Sequence, residues 1–259
     1  MDRLPSVLCI GGHDPTGGAG IQADIETLAT HRVRAFTLVT CLTAQDTANV
    51  REIWPTPAAQ FRRQRDTLLD DLTPDVVKIG LLGSAEVAAA VLEWIAAVDL
   101  PIVLDPVLAA GGGARLSDRR LLQTLRSGLL PKTRLAVPNR AELSALSAAR
   151  AEPDAAAELL SLGTQAVLVT GADAASAQGS DQVTNTLYTR ADPTRSWNWP
   201  TLPGVYHGSG CTLASACAAG LAQGKPLHEA VRAAQDFTWQ ALQRAEDLGR
   251  AQHLPTRLP

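Results

Sequence analysis

Short apolar runs recur along this chain, each closed by glycine or a polar turn and followed by a stretch with helical period. Residues 6–10, 35–40, 76–79, 102–104, 135–137 and 166–169 are such runs. They are brief and apolar at successive positions, the pattern of strands covered on both faces. Helices are expected over 21–30, 57–72, 85–98, 117–129 (capped by Ser117), from Asn139 onward, and over 152–162. Strand–helix alternation of this kind predicts an α/β fold with a mainly parallel sheet between two helical layers. Residues 183–189 and 196–199 read as an edge hairpin, and helices follow to Gln223 and over 227–248. The tail 249–259 carries no ordered pattern. With no repeat, low-complexity tract or linker, the chain reads as one domain over 1–259.

The punctuation between these elements is unusual. Residues 11–20 hold five glycines, too many for an ordinary strand-to-helix link, and they permit close approach of a ligand. The run has no Gly-Lys-Ser/Thr and no clean GxGxxG, which argues against a P-loop and a dinucleotide oxidoreductase. A second glycine stretch, His207-Gly208-Ser209-Gly210-Cys211-Thr212, stands directly before a long helix of small residues. The first N–H groups of a helix lack intrahelical partners and carry partial positive charge, so an anion is stabilised there. The reading is an anion hole with Cys211 at its edge, where the same field favours the thiolate. The bland alternative is a tight turn with a small apolar cysteine.

Other candidates follow strand ends or open helices. Asp24 is either a first-turn acid or a carboxylate for a substrate hydroxyl, and Gln45 can donate and accept at once toward a heterocycle. Asp105 ends the 102–104 strand. Asn139 with Glu142 reads first as a capping box and second as oxygen donors near a hydrated Mg²⁺. Gly111-Gly112-Gly113 reads as a mobile loop, a candidate lid.

Composition closes other classes. A formal net charge of −3 and 4% aromatic residues select neither nucleic acid nor an anionic membrane surface. No apolar run approaches the roughly 20 residues of a membrane span. The four cysteines form no CxxC pair, which suits free thiols in a reducing compartment and, with no signal peptide visible, a cytoplasmic location.

Taken together, several blocks resemble the hydroxymethylpyrimidine/phosphomethylpyrimidine kinases of thiamine biosynthesis, members of the ribokinase-like superfamily. These are Gly17-Gly18-Ala19-Gly20-Ile21-Gln22-Ala23-Asp24, Thr43-Ala44-Gln45, Val77-Lys78-Ile79-Gly80, Asp105-Pro106-Val107, Pro138-Asn139 with Glu142, and His207 to Leu213. The resemblance spans about residues 6–246 and implies a three-layer α/β/α kinase. Its reaction would be ATP-dependent phosphorylation of the hydroxymethyl group of 4-amino-5-hydroxymethyl-2-methylpyrimidine, and of the resulting monophosphate. It implies Asp24, Gln45, Gly12, Ala19, Leu81 and Val107 at the pyrimidine. Asp105, Asn139, Thr170 and Gly171 would serve the nucleotide, with Asp105 and Glu142 at Mg²⁺. Gly208, Ser209, Gly210 and Cys211 would form the anion hole, and Cys211 would take the hydroxyl proton. A homodimer is implied too. The chain departs from the family pattern at Leu81, at His13, in the loop 108–114, at Thr170 and in its C-terminal end. The same fold also serves pyridoxal kinases, and a non-catalytic pyrimidine-binding protein would keep the pocket without releasing ADP.

Overall fold

The computed structural model describes residues 3–109, 112–113, 116–172 and 179–258. Nine strands form one sheet in the order β3-β2-β1-β4-β5-β6-β7-β8-β9. They are β1 Ser6–His13, β2 Arg34–Gln45, β3 Val50–Pro55, β4 Val76–Ile79, β5 Ile102–Leu104, β6 Leu135–Ala136, β7 Ala166–Val169, β8 Gln182–Thr189 and β9 Arg195–Pro200. Strands β2, β1, β4, β5, β6 and β7 run parallel, while β3 and β8 join their neighbours antiparallel. The α/β class and the mainly parallel sheet are as the alternation predicts.

Successive strand side chains point to opposite faces, and the core divides accordingly. Leu8, Ile10, Val77, Ile79 and Leu104 pack against α2 (Ala58–Asp71), α3 (Ala85–Ile95), α4 (Arg119–Thr124), α5 (Arg140–Leu146) and α6 (Glu152–Leu162). Val7, Cys9, Val76, Val103 and Leu168 pack against α1 (Gly20–Thr30), α7 (Ser209–Ala222) and α8 (Leu227–Gln243). Helix α7 is buried at every position from Thr212 to Gly220, and only small side chains let it lie so close. Among the described residues no helix is long and apolar enough to cross a membrane.

Several expectations are corrected. Strand β2 continues through Gln45, which is its last residue rather than a loop residue. An unanticipated strand, β3, pairs with it. Asp118, not Ser117, caps α4 by accepting from the Leu121 N–H at 2.8 Å. That helix turns to a wider π-type stretch over Leu125–Leu129, where Gly128 faces Leu92. Helix α8 ends at Gln243 because Glu246 instead exchanges backbone hydrogen bonds with Leu254. The tail is ordered, with Gln252 and Arg257 buried. Gly111 of the candidate lid, and residues 173–178 of the polar stretch beyond Gly171, lie outside the described residues.

The sheet's strand order reverses at β1, which has β2 on one side and β4 on the other. Ligands bind outside the carboxyl ends of strands at such a switch point.

Candidate active site

A cleft of about 450 Å³ opens there, a volume typical of small-molecule sites. Gly12, Ala19, Gln45, Leu81, Val107, Asp105, Asn139, Glu142, Thr170 and the run Gly208 to Cys211 all line it. Sequence positions far apart therefore converge on one space.

One wall is the glycine loop before α1. Asp14 is buried and its carboxylate accepts from the Thr16 N–H at 2.9 Å and the Ala19 N–H at 2.8 Å. The ring nitrogen Nε2 of His207 lies 2.8 Å from Asp14 Oδ2 and ties this loop to the second one. Burial alone would raise the Asp14 pKa, but the hydrogen bonds from His207 and Thr16 outweigh it and hold it low.

The floor is Lys78, the one charged residue of β4. Its Nζ donates to Asp24 Oδ1 at 2.8 Å, and Ser215 Oγ of α7 donates to the same oxygen at 2.6 Å. Asp24 and Lys78 are 0% and 1% exposed, so this is a fully desolvated pair. Burial works against the lysine charge, but Asp24, Cys211 and Asp105 together hold its pKa above the ordinary value. The expectation for Asp24 changes here. Positions 21, 24 and 28 share the buried face of α1, so Asp24 does not line the cleft. Lys78 lines it instead, and Asp24 holds Lys78.

The opposite wall is the start of α7. Gly208 caps the helix in the left-handed conformation (φ 72°), with no side-chain acceptor. Its missing side chain matters, since a Cβ there would run into the Gly18 carbonyl oxygen. Among the described residues nothing accepts from the N–H of Ser209, Gly210 or Cys211. Three unpartnered amides therefore stand at a helix N-terminus whose residues line the cleft.

Cys211 is the last of the three, and the Gly20 N–H donates toward its sulfur. Its expected low pKa does not hold in this geometry. Burial pushes the thiol up to about 12; Lys78 pulls it down, and Asp105 and Asp24 push it up. Asp105 is also raised by burial and by Asp24, against Lys78 and a hydrogen bond from Cys211. Its Oδ2 is buried without a hydrogen-bond partner.

Asn139 and Glu142 do form the capping box. Asn139 Oδ1 accepts from the Glu142 N–H at 2.8 Å, and Glu142 Oε2 accepts from the Asn139 N–H at 2.9 Å. The bland reading is right in geometry, and both residues still face the cleft. Gly171 does not: its N–H is taken by Asn185 Oδ1 at 3.0 Å, and Thr170 and Ala172 form the wall. Beside these amides an apolar slot of about 130 Å³ is lined by Trp199, Trp239, Leu213 and Leu242, sharing Ser209 and Gly210 with the cleft.

Sequence reasoning placed Asp14 and His207 in the two glycine stretches without anticipating the bond between them, and gave no role to Lys78 or Ser215. The signal for Lys78 was present, since a lysine inside a buried apolar strand needs a paired anion.

A family model described as phosphomethylpyrimidine kinase matches residues 14–257. The hydroxymethylpyrimidine/phosphomethylpyrimidine kinase of Streptomyces coelicolor is 36% identical, over 95% of this chain and 91% of its own. Among solved structures, the pyridoxal kinase from Staphylococcus aureus in complex with ADP superposes with a TM-score of 0.88 at 26% identity, covering 99% of this chain and 94% of that one. The phosphomethylpyrimidine kinase from Clostridium difficile 630 superposes with a TM-score of 0.78 at 26% identity, covering 93% and 100%.

Proposed function

The chain belongs to the phosphomethylpyrimidine kinase family, and from that premise we propose that it transfers the γ-phosphoryl group of ATP to the hydroxymethyl group of 4-amino-5-hydroxymethyl-2-methylpyrimidine, and then to the monophosphate, in thiamine biosynthesis. The observation that carries this reading is the set of three unpartnered amides at residues 209–211 facing Gln45 and Lys78 across one cleft. Phosphoryl transfer needs positioning and charge stabilisation more than covalent help from the protein, and such amides supply it without reorganisation.

Gln45 already donates from Nε2 to Thr43 Oγ1 at 2.7 Å, which leaves its carbonyl oxygen for the amino group of the pyrimidine. Leu81 and Val107 pack on the ring. The apolar slot lined by Trp199, Trp239 and Leu242 takes the nucleoside, so the γ-phosphate reaches the amides. The hydroxyl oxygen then bonds to phosphorus as the bond to ADP breaks, and its proton passes to Cys211 Sγ. Because burial holds that thiol high, its own proton must first leave to solvent, so the accepting thiolate is the minor form and turnover rises with pH.

Asp105, with a buried oxygen lacking a partner, and Glu142, whose oxygens already accept from Asn139 and Leu108, are the residues that would hold a hydrated Mg²⁺. Such an ion would neutralise charge on the phosphates. A homodimeric state belongs to the same reading and is checked by light scattering.

The likeness to a pyridoxal kinase makes pyridoxal the competing acceptor. Coupled ADP release with the hydroxymethylpyrimidine, its monophosphate and pyridoxal separates them. Turnover of the two pyrimidines above pyridoxal supports the proposal; preference for pyridoxal, or no ADP from any of the three, contradicts it.

A further inference from the structure

The C-terminal tail carries the largest fully buried side chain of the described residues, Arg257. Backbone pairing brings it there: Gln252 N–H donates to the Thr47 carbonyl, His253 N–H to that of Val205, and Thr256 N–H to that of Ala241. Its guanidinium meets three separate segments. Nε donates to Thr212 Oγ1 at 2.9 Å in the first turn of α7. Nη1 donates to the Gly17 carbonyl at 3.2 Å and to Glu26 Oε2 of α1 at 3.0 Å. Nη2 donates to the Gly18 carbonyl.

A buried cation with mostly neutral acceptors is poor evidence of stability, since desolvation opposes it. Its geometry is more informative. In a trans peptide the C=O and N–H point opposite ways. Arg257 takes the Gly18 carbonyl on one side while Asp14 takes the Ala19 N–H of the same peptide on the other. That peptide unit is pinned at both edges. Thr212 in turn donates from Oγ1 to the Gly208 carbonyl at 2.8 Å. One side chain thus spans from the loop beside the acceptor to the glycine that begins the anion hole.

We propose that Arg257 is a positioning residue that sets the separation between the substrate-side loop at Gly17 and Gly18 and the phosphoryl-side turn at Gly208. The inference rests on the kinase reading. Arg257 touches no reacting atom. It fixes how closely acceptor and phosphoryl donor meet, a quantity for which an ångström of misplacement costs up to about 10²-fold in rate. A lysine cannot replace the fork, because its single ammonium cannot reach Thr212, Gly17 and Gly18 in one plane.

The test compares wild type, Arg257→Ala, Arg257→Lys and Glu26→Gln in coupled ADP release, with melting temperatures alongside. Wild-type turnover of the pyrimidine tests the kinase reading; the ratios between variants test this inference. The expected result is a loss of kcat of at least tenfold in Arg257→Ala with both KM values within about threefold, partial rescue by methylguanidinium, and a smaller kcat loss in Arg257→Lys. Glu26→Gln, which keeps the three neutral acceptors, stays within about twofold of wild type. A folded Arg257→Ala enzyme with unchanged kcat, or one changed only in KM, overturns the proposal. If the alanine variant does not fold, a folded Arg257→Lys enzyme decides: a lowered kcat upholds the proposal and a wild-type kcat ends it.

Discussion

Two glycine-rich loops lead into helices in this protein, and they use their amides in opposite ways. In the loop before α1, Asp14 accepts from Thr16 and Ala19, and Thr16 Oγ1 accepts from the Gly18 N–H at 3.1 Å. That loop is closed on itself. Before α7 no side chain plays the part of Asp14, and the amides of Ser209, Gly210 and Cys211 are left to the cleft. Glycine content does not distinguish the two. What does is whether the chain supplies its own acceptor: where it does, the amides are closed off, and where it does not, they are left free for an anion.

The comparison can be broken at several points. The largest expected effect is at the open loop's sulfur: Cys211→Ala should lower kcat by about 10²–10⁴-fold with little change in KM, as loss of a proton acceptor does. The wild-type kcat/KM should still be rising with pH above the ordinary thiol value of 9.0, because the free enzyme's thiol is raised; a pH profile already flat at 8 contradicts that. Next comes the tie beneath both loops. Lys78→Met leaves Asp24 buried and unpaired and should cost about 3–5 kcal/mol of stability, read by denaturant unfolding.

Opening the closed loop has a smaller effect. Asp14→Asn should lose about 1.5–3 kcal/mol, since hydrogen bonds to a charged group are weakened. Asp14 has a folded pKa below its unfolded value, so its charge stabilises above the unfolded pKa and the benefit fades as pH falls toward the folded one. Melting curves of wild type and Asp14→Asn should therefore converge below about pH 4. The smallest effect tests the reverse change, giving the open loop an anion of its own. Ser209→Asp should raise stability by about 0.3–1 kcal/mol through the helix dipole while raising the KM for ATP.

Much of this was legible in the residues. The central strands and α6 were readable because apolar period and length agree there. Strand β3 was not, because Val50–Pro55 is an edge strand whose residues are exposed or half-buried, and no alternation marks it. The tail was unreadable for another reason: its order comes from long-range pairing with Thr47, Val205 and Ala241, which local pattern does not encode. Gln45, Asp105, Asn139 and the run 208–211 were legible from strand ends and helix starts, while Gly12, Ala19, Leu81, Val107 and Thr170 came only through the family resemblance, and neither route ranked them. Asp24 looked like a ligand contact and is a buried anchor, while Lys78, hidden in an apolar run, faces the cleft. Cys211 shows the same limit in electrostatics. A helix N-terminus lowers a thiol's pKa, yet here burial and two nearby carboxylates outweigh it.

The most direct test of the difference between the loops is the amide ¹H–¹⁵N spectrum of the protein titrated with a non-hydrolysable ATP analogue and Mg²⁺. The amides of Ser209, Gly210 and Cys211 should move most, and those of Thr16 and Ala19, already bound by Asp14, should barely move. Saturation of the nucleotide site with the 209–211 amides unmoved would contradict the account.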